Sequence, residues 1–269
     1  MGTTIVGGVA TAKFESDSTV LWHMRLGHMG ECGMMELHKR NLLKGIKTCK
    51  LDFCKYGVFG KQNKVQLKTT IHKTEAVLNY VHTDVWGPVR VASLGGSMYF
   101  VSFIDDYSRK IWVYFMRHKS ETFAKFKLWK AEVENQTGRK IKCLRSDNGT
   151  KYTDSKFMEL CEQHGIKRHF TVRKTLQQDV VGERMNRTIA ERARCLRLNA
   201  GLEKKFWVEA VNMACYLINR SPRAALDGKV AGEVWTSSLV DYSGLREFRC
   251  PTYVHVSNEE RSKLDAKSR

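Results

Sequence analysis

The chain has 269 residues, enough to bury a sizeable core, and this length favours one main domain with appended segments. Its 46 Lys and Arg residues outnumber 28 Asp and Glu residues, which gives a formal net charge of +18 at pH 7. The basic residues are spread along the chain instead of lining one amphipathic helix, so a nucleic acid fits better as a partner than a membrane surface. On charge alone, a basic protein without such a partner stays an alternative.

Neither a secretory signal nor a membrane span is predicted. The charged residues Lys13, Glu15 and Asp17 interrupt the start before a long apolar run forms, and no later stretch reaches membrane-spanning length. We therefore expect an intracellular protein that is not secreted and has no membrane partner. Four of the eight cysteines lie on apolar faces of predicted elements and are expected to be reduced and buried: Cys143, Cys161, Cys195 and Cys215.

The first half of the chain changes character twice. Residues 1–20 are rich in Gly, Thr and Ser and are expected to be a flexible lead-in. Residues 21–68 form a compact segment with its own His and Cys residues. Residues 77–86, 97–108 and 110–117 are then rich in β-branched and aromatic side chains and are separated by short turns. This pattern predicts three strands in an antiparallel meander.

Helices alternate with strands after the meander. Ser120 is predicted to cap a helix that stops near Gly138, and a fourth strand follows it. A second helix, a fifth strand and a third, cationic helix over residues 183–200 complete the order β-β-β-α-β-α-β-α. This order predicts an α/β fold with a mixed sheet flanked by helices, which we assign to residues 74–240. Residues 241–269 are interpreted as a truncated C-terminal extension.

Three acidic residues occupy positions that can converge on a metal site. Asp84 lies in the first strand, Asp147 follows the fourth strand, and Glu183 begins the third helix. Carboxylates hold hard divalent cations, and two such ions roughly 3.5 to 4 Å apart serve phosphodiester chemistry. Taken singly, each acid has an ordinary alternative role as a cap, a turn residue or a first-turn residue. The position of Asp84 argues against that alternative, because burying an unpaired carboxylate inside an apolar strand costs free energy.

A second group combines histidines and cysteines. His23 and His28 have four residues between them, and Cys49 and Cys54 follow, again with four residues between them. A His pair followed by a Cys pair is typical of a closed, tetrahedral structural zinc site, although Cys-x-x-Cys would be the stronger signal. In the alternative interpretation, both histidines lie on a helix surface and Cys54 is a free thiol.

Long segments of the chain, in order, resemble the integrase region of a copia-type LTR retrotransposon polyprotein. They are WHMRLGH, FCKYGVFGKQ, YVHTDVWGPV, GGSMYFVSFIDDYSRKIWVYFM, KSETFAKFK, LRSDNGTKY, GERMNRTIAERAR, YLINRSP and VDYSGLREFRCPTYVHV. The resemblance runs from about Leu21 to the last residue. It implies a small, helical, zinc-binding pre-integrase segment over 21–68 and a catalytic core of the ribonuclease H-like superfamily over 74–240.

The resemblance also assigns metal ligands. The family's DDE triad, which holds two Mg²⁺ or Mn²⁺ ions, falls on Asp84, Asp147 and Glu183. Its zinc histidines and first zinc cysteine fall on three further residues: His23, His28 and Cys54. Its second zinc cysteine falls on Gly57, so the zinc set has three ligands unless another side chain completes it. The candidates for that fourth ligand are Cys49, Cys32 and His38.

The activity implied by the resemblance is DNA strand transfer, in which the 3′-hydroxyl of element DNA attacks a target phosphodiester. Double-stranded DNA, both element ends and target, is the expected partner. We expect a homo-oligomer that acts in the nucleus, with a cytoplasmic particle stage. Phosphate contacts are expected from five cationic residues near the third helix and the fourth strand: Lys151, Arg184, Arg187, Arg194 and Arg197.

The chain departs from the family pattern in ways that keep two other functions open. In the loop at residues 176–182, Val180 replaces a Gly, and Lys151 stands where the family usually has Glu. These changes favour a decaying copy, so a catalytically silent DNA-binding remnant is one alternative. The other is a metal-dependent nuclease that cuts RNA in hybrids, which would share the three carboxylates but lack the N-terminal His and Cys segment.

Overall fold

A computed structural model describes residues 18–46, 49–51, 54–55, 74–147, 149, 152, 154–170, 180–250 and 257–262. The helices are α1 (Ser18–Arg25), α2 (Glu31–Lys39), α3 (Thr122–Thr137), α4 (Ser155–Gln163), α5 (Val180–Asn199), α6 (Trp207–Asn219) and α7 (Ala231–Thr236). The strands are β1 (Val81–Trp86), β2 (Tyr99–Asp105), β3 (Ile111–Met116), β4 (Cys143–Ser146) and β5 (Lys167–Phe170). Short 3₁₀ turns lie at Lys119–Glu121, Lys204–Phe206, Ala224–Leu226 and Asn258–Glu260.

The strands form a five-stranded mixed sheet in the order β3-β2-β1-β4-β5. β1, β2 and β3 pair antiparallel, because short turns join them. β4 and β5 are reached through helices α3 and α4, and they run parallel to β1. The expected α/β class, with a ribonuclease H-like sheet flanked by helices, is confirmed.

Alternating side chains of β2 supply both faces of the sheet. Phe100 and Ile104 enter a core formed with α5 and α6, whereas Val101 and Phe103 enter a second core formed with α3 and α4. The Phe103 ring stacks on Trp129 of α3 with centroids 4.4 Å apart. The sheet is therefore covered on both sides, and Asp84 of β1 lies on the side that α5 covers.

The N-terminal helices share the core of α5 and α6. Leu26 and Leu37 are buried in the same hydrophobic cluster as Leu217. Arg40 and Glu233 of α7 form an ion pair at 2.7 Å. Part of the segment expected over residues 21–68 thus shares a hydrophobic core with α5 and α6.

Several element boundaries differ from expectation. α1 begins at Ser18, inside the expected lead-in of residues 1–20. α3 stops at Thr137, where Gly138 takes φ +64, as predicted. Its start is not capped by Ser120, because Ser120 lies inside the 3₁₀ turn Lys119–Glu121 and Glu121 is the residue that precedes the helix.

The expected loop over 176–182 is wrong for its last residues. α5 already begins at Val180, and Gly182 is buried within its first turn. Val181 packs against the core beside α6, so burial offsets the low helix propensity of Val and Gly. Residues 171–179 lie outside the described residues.

The remaining predictions concern cysteines, the C-terminal part and membranes. The four cysteines expected to be buried are free, buried thiols. The expected C-terminal extension contributes Tyr242 and Leu245 to the core. Among the described residues, no helix has the length and apolar character needed to cross a membrane.

Candidate active site and metal centre

Asp84 is held on the sheet face that α5 covers. It pairs with Ser102 of β2, and its Oδ1 accepts the Val85 N–H at 2.8 Å. Its Oδ2 accepts a hydrogen bond from Nδ2 of Asn186 on α5 at 2.9 Å. Asn186 is buried, so this contact fixes α5 against β1 and orients the carboxylate.

Asp147 follows the last residue of β4 at the same end of the sheet. β1 and β4 pair in parallel with Val81 opposite Leu144 and His82 opposite Arg145. Continuing that register brings Asp147 to the level of Asp84, because parallel strands advance together. The Asp147 Oδ1 accepts the Gly149 N–H at 3.1 Å, which bends the chain away from the strand.

Tyr152 links the two aspartate regions. It is fully buried, and its hydroxyl lies 2.8 Å from the Thr83 hydroxyl of β1. Burial raises the Tyr152 pKa well above its usual value, and the charges of Asp84 and Asp147 raise it further. Both carboxylates are therefore close enough to Tyr152 to act on it.

Glu183 lies in the first turn of α5, one turn before Asn186 and on the same helical face. A cleft of about 520 Å³ lies between β1 and this face, and we name it the carboxylate cleft. It is lined by residues that include Asp84, Glu183, Asn186, Arg187, Glu191 and Arg194. Its oxygen donors are of the type that Mg²⁺ and Mn²⁺ prefer.

The predicted triad is brought to one region but not into contact. Asp84 and Glu183 border the carboxylate cleft, and Asp147 lies beside Asp84 by strand register. Among the described residues, the side-chain oxygens of these three acids do not form a group in which all lie within 4.8 Å of one another. The donor chemistry fits divalent cations, and joint coordination requires the side chains to draw closer.

Asn186 is a site residue that the sequence interpretation missed. Its position three residues after Glu183 places it on the same face of a helix, which was the available signal. Its Oδ1 atom is buried without a hydrogen-bond partner among the described residues. An Asn in a helix gives no reason by itself to expect a contact with a strand residue far away in sequence.

The N-terminal helices form a second candidate metal site. His23, His28 and Cys54 place their ligand atoms within 4.8 Å of one another. The Nδ1 of His28 lies 3.2 Å from Nε2 of His23 and 3.3 Å from Sγ of Cys54. The His23 Nδ1 lies 2.8 Å from the Met29 carbonyl oxygen, which leaves Nε2 as its metal donor. Both histidines are buried, unlike the helix-surface alternative.

The nitrogen and sulfur donors of this set suit zinc. A closed tetrahedral site needs four ligands, and this set supplies three. Cys49, Cys32 and His38 lie outside the group of three ligand atoms. Cys49 instead packs into the core, where burial raises its thiol pKa and Glu31 raises it further. Gly57, the position of the family's second cysteine, is outside the described residues. The predicted fourth ligand is therefore not supplied by Cys49 in this arrangement.

The predicted phosphate-binding residues take different positions. Arg187 and Arg194 are exposed and border the carboxylate cleft. Arg184 is exposed on α5. Arg197 donates to the Leu202 carbonyl at 2.7 Å and so closes the end of α5. Lys151 lies outside the described residues.

Comparisons with known proteins agree with this arrangement. Residues 75–175 match the family model of the integrase core domain, and residues 2–62 match that of the GAG-pre-integrase domain. The chain is 46% identical over 264 residues to the "Retrovirus-related Pol polyprotein from transposon TNT 1-94" of Nicotiana tabacum, covering 98% of this chain and 20% of that protein.

Two polyproteins of Arabidopsis thaliana are also similar. The "Retrovirus-related Pol polyprotein from transposon RE2" and that from transposon RE1 are each 29% identical over 249 residues, covering 92% of this chain and 17% of each polyprotein. The chain spans about a fifth of the length of these relatives. The chain therefore carries a GAG-pre-integrase domain ahead of an integrase core domain, and it resembles this region of a copia-type retrotransposon Pol polyprotein over nearly its whole length.

Proposed function

We propose that this chain is a polynucleotidyl transferase that joins element DNA to target DNA by strand transfer. The observation that carries the proposal is the carboxylate cleft, which Asp84 of β1 and Glu183 of α5 both line, in a chain that matches the integrase core domain. The strand register that aligns Asp147 with Asp84 supports it.

The chain's own groups bind and orient DNA. Arg187 and Arg194 border the cleft and hold phosphates, which position a duplex without reading its sequence. Asn186 holds the Asp84 carboxylate through one oxygen. Asp84, Asp147 and Glu183 would hold the divalent ions, which when bound supply Lewis-acid stabilisation to the attacking and leaving oxygens.

In the proposed reaction, the 3′-oxygen of element DNA forms a bond to a target phosphorus. The bond between that phosphorus and the target's own 3′-oxygen breaks, and the departing oxygen takes up a proton while the attacking hydroxyl loses one. No covalent protein intermediate is needed, because an in-line displacement exchanges one phosphodiester for another.

A strand-transfer assay with Mn²⁺ and labelled duplex bearing element-like ends tests the proposal. We expect joined product with the parent protein and none with Asp147→Asn. Asp154→Asn is the matched control, since this exposed residue stands before α4 and outside the carboxylate cleft. Product that persists in Asp147→Asn would refute the triad assignment.

A catalytically silent DNA-binding remnant is the second candidate. The separation of the three carboxylates favours this candidate. Among the described residues, their three side chains do not bring one oxygen each to within 4.8 Å of the other two. Retention of duplex DNA that weakens with salt, together with no product from the parent under any divalent ion, would establish this second function.

We also propose a zinc ion on His23, His28 and Cys54. Metal analysis of purified protein should find zinc in the parent and in Cys49→Ala, and none in Cys54→Ser. Gly57→Cys should hold zinc more tightly than the parent by supplying a fourth ligand. Equal zinc content in the parent and Cys54→Ser would contradict this site.

The remaining features of the proposal concern assembly and location. Joining two element ends to one target favours a homo-oligomer, and the target DNA lies in the nucleus, with a cytoplasmic particle stage before it. Mass measurement in solution with and without paired element ends checks the first point. Imaging of the tagged protein in cells checks the second.

A further inference from the structure

The connection between β1 and β2 ends in a rigid tip. The Val89 N–H donates to the Met98 carbonyl at 3.0 Å and closes the base of the hairpin. At the other end, the Ser93 N–H donates to the Ser97 carbonyl at 3.0 Å. The Ser97 N–H in turn donates to the buried Ser93 hydroxyl at 3.0 Å. We name residues 93–97 the hairpin tip.

This rigid tip exposes apolar side chains. Leu94 in the tip is 59% exposed, and Val91 just before it is 41% exposed. A single exposed leucine is ordinary, but this one stands on a turn whose backbone is closed by hydrogen bonds. It therefore presents a preorganised apolar point to whatever meets the tip.

Cations surround the tip. The Arg117 guanidinium donates to the Gly95 carbonyl at 3.2 Å, and so lies across the turn. Arg90, three residues before the tip, is exposed, and the exposed Lys119 lies over the ring of Tyr99, two residues after the tip. The nearby carboxylate of Glu121 already accepts two backbone N–H groups. The apolar point thus lies within a positive surface.

The tip projects from the end of the sheet that carries the active site. The hairpin begins at Gly87, directly after Trp86, and Trp86 borders the carboxylate cleft. Asp84 lies two residues earlier on the same strand. The hairpin therefore continues directly from the strand that forms one wall of the cleft.

We propose that the hairpin tip is a target-DNA contact, in which Leu94 enters a base step as an apolar wedge while Arg90 and Arg117 bind the flanking phosphates. The choice of target DNA rests on the proposed function. Apolar wedges partly unstack a base step and bend the duplex, and flexible pyrimidine–purine steps deform at the lowest cost. The wedge would favour such steps without reading bases directly.

The test measures DNA binding and bending without catalysis. A duplex of about three helical turns, labelled at both ends for energy transfer, is titrated with Asp84→Asn protein. We expect bending, and we expect Leu94→Ala in the same background to abolish it and weaken binding about tenfold. Leu239→Ala is the matched control, because Leu239 is an exposed leucine outside the hairpin, and it should change neither value.

Salt dependence separates the wedge from the phosphate contacts. Arg90→Gln should lower the slope of log affinity against log salt by about 0.9, and Leu94→Ala should leave that slope unchanged. Wild-type bending and affinity in Leu94→Ala would overturn the proposal. So would Leu94-dependent binding to anionic phospholipid vesicles without any effect on DNA. If bending depends on Leu94 but the parent protein gives no strand-transfer product, the role of the hairpin tip is supported and only the catalytic assignment is refuted.

Discussion

Asp84 shows how a catalytic candidate is prepared at the scale of one residue. One carboxylate oxygen accepts its neighbour's backbone N–H, and the other accepts the Asn186 amide. Each bond occupies a lone pair on one carboxylate oxygen. They also fix the direction in which the remaining lone pairs point.

Replacing Asn186 with Ala should leave the Asp84 carboxylate less firmly oriented, with only a small change in the stability of the fold. We expect strand transfer to fall about tenfold, because orientation of the carboxylate is lost, and the free energy of unfolding to change by about 1 kcal/mol. The affinity for Mn²⁺ should fall as well, and this readout does not need turnover. Asn212→Ala, at an exposed position on α6, is the control. Unchanged Mn²⁺ affinity in Asn186→Ala would contradict the role.

His82 is a buried residue that makes the fold sensitive to pH. Its Nε2 lies 3.0 Å from the Asp106 carboxylate, which also pairs with Arg109 at 2.7 Å. Burial lowers the His82 pKa from its ordinary value of 6.5, and the charges of Arg109 and Arg145 lower it further, while Asp106 opposes them. The folded protein therefore keeps His82 neutral.

Stability should fall as pH drops through the window below 6.5. The unfolded chain binds a proton at His82 there and the folded chain does not, so the stabilisation is complete above that value and is lost below it. The slope reaches at most about 1.4 kcal/mol per pH unit for this one group. Urea unfolding at saturating zinc should show a shallower pH dependence in His82→Gln than in the parent. His118→Gln, at an exposed position, should retain the parent's slope.

At the scale of elements, the turn after α1 decides how the pre-integrase segment meets the core. Gly27 takes φ +64, and a Cβ placed there would lie 2.8 Å from Cδ1 of Leu217 on α6. Glycine at this position permits both the left-handed turn and the close approach of α6. The N-terminal helices can therefore share the hydrophobic core of α5 and α6.

Gly27→Ala should be more destabilising than a glycine substitution with the same backbone angle. Gly138 also has φ +64 but has open space around it, so Gly138→Ala should cost about 1 to 2 kcal/mol from backbone strain alone. Gly27→Ala should cost about 1 to 3 kcal/mol more through overpacking. Chemical unfolding of both variants measures the difference, and Leu217→Ala should remove the excess. Equal costs at the two positions would contradict the close approach.

At the scale of the molecule, a net charge of +18 acts through particular positions. Arg187 and Arg194 face the carboxylate cleft, whereas the Arg197 guanidinium is engaged with a backbone carbonyl at the end of α5. Equal formal charges on one helix therefore lie in different surroundings. In the proposed function, the two arginines that line the cleft are the phosphate contacts, and Arg197 stabilises the end of α5.

Neutralising the cleft arginines should change the salt dependence of DNA binding. Arg187→Gln and Arg194→Gln should each lower the slope of log affinity against log salt by about 0.9. Arg197→Gln should leave the slope unchanged and lower the stability instead, since it opens the end of α5. Fluorescence anisotropy across a salt series measures the slopes. A reduced slope in Arg197→Gln with normal stability would reverse this assignment.

Much of the fold follows from local patterns in the sequence. Segments rich in β-branched and aromatic residues, separated by short turns, predicted the meander that contains β1, β2 and β3, and they placed Asp84 inside a strand. The family motifs predicted a pre-integrase segment ahead of a catalytic core, and the two family models match residues 2–62 and 75–175. The boundary before Glu183 was wrong, because burial of Val181 extends α5 beyond its local propensity.

By itself, then, the sequence determined the periodicity of the strands and helices, the family, and the chemical types available to a metal or a phosphate. Only the tertiary structure decided contacts that no motif indicates: Asn186 with Asp84, and Gly27 with Leu217. The physical reason is the separation along the chain over which each kind of interaction acts. Backbone period depends on neighbouring residues, whereas these contacts join segments far apart in the chain and exist only when both faces of the sheet are packed.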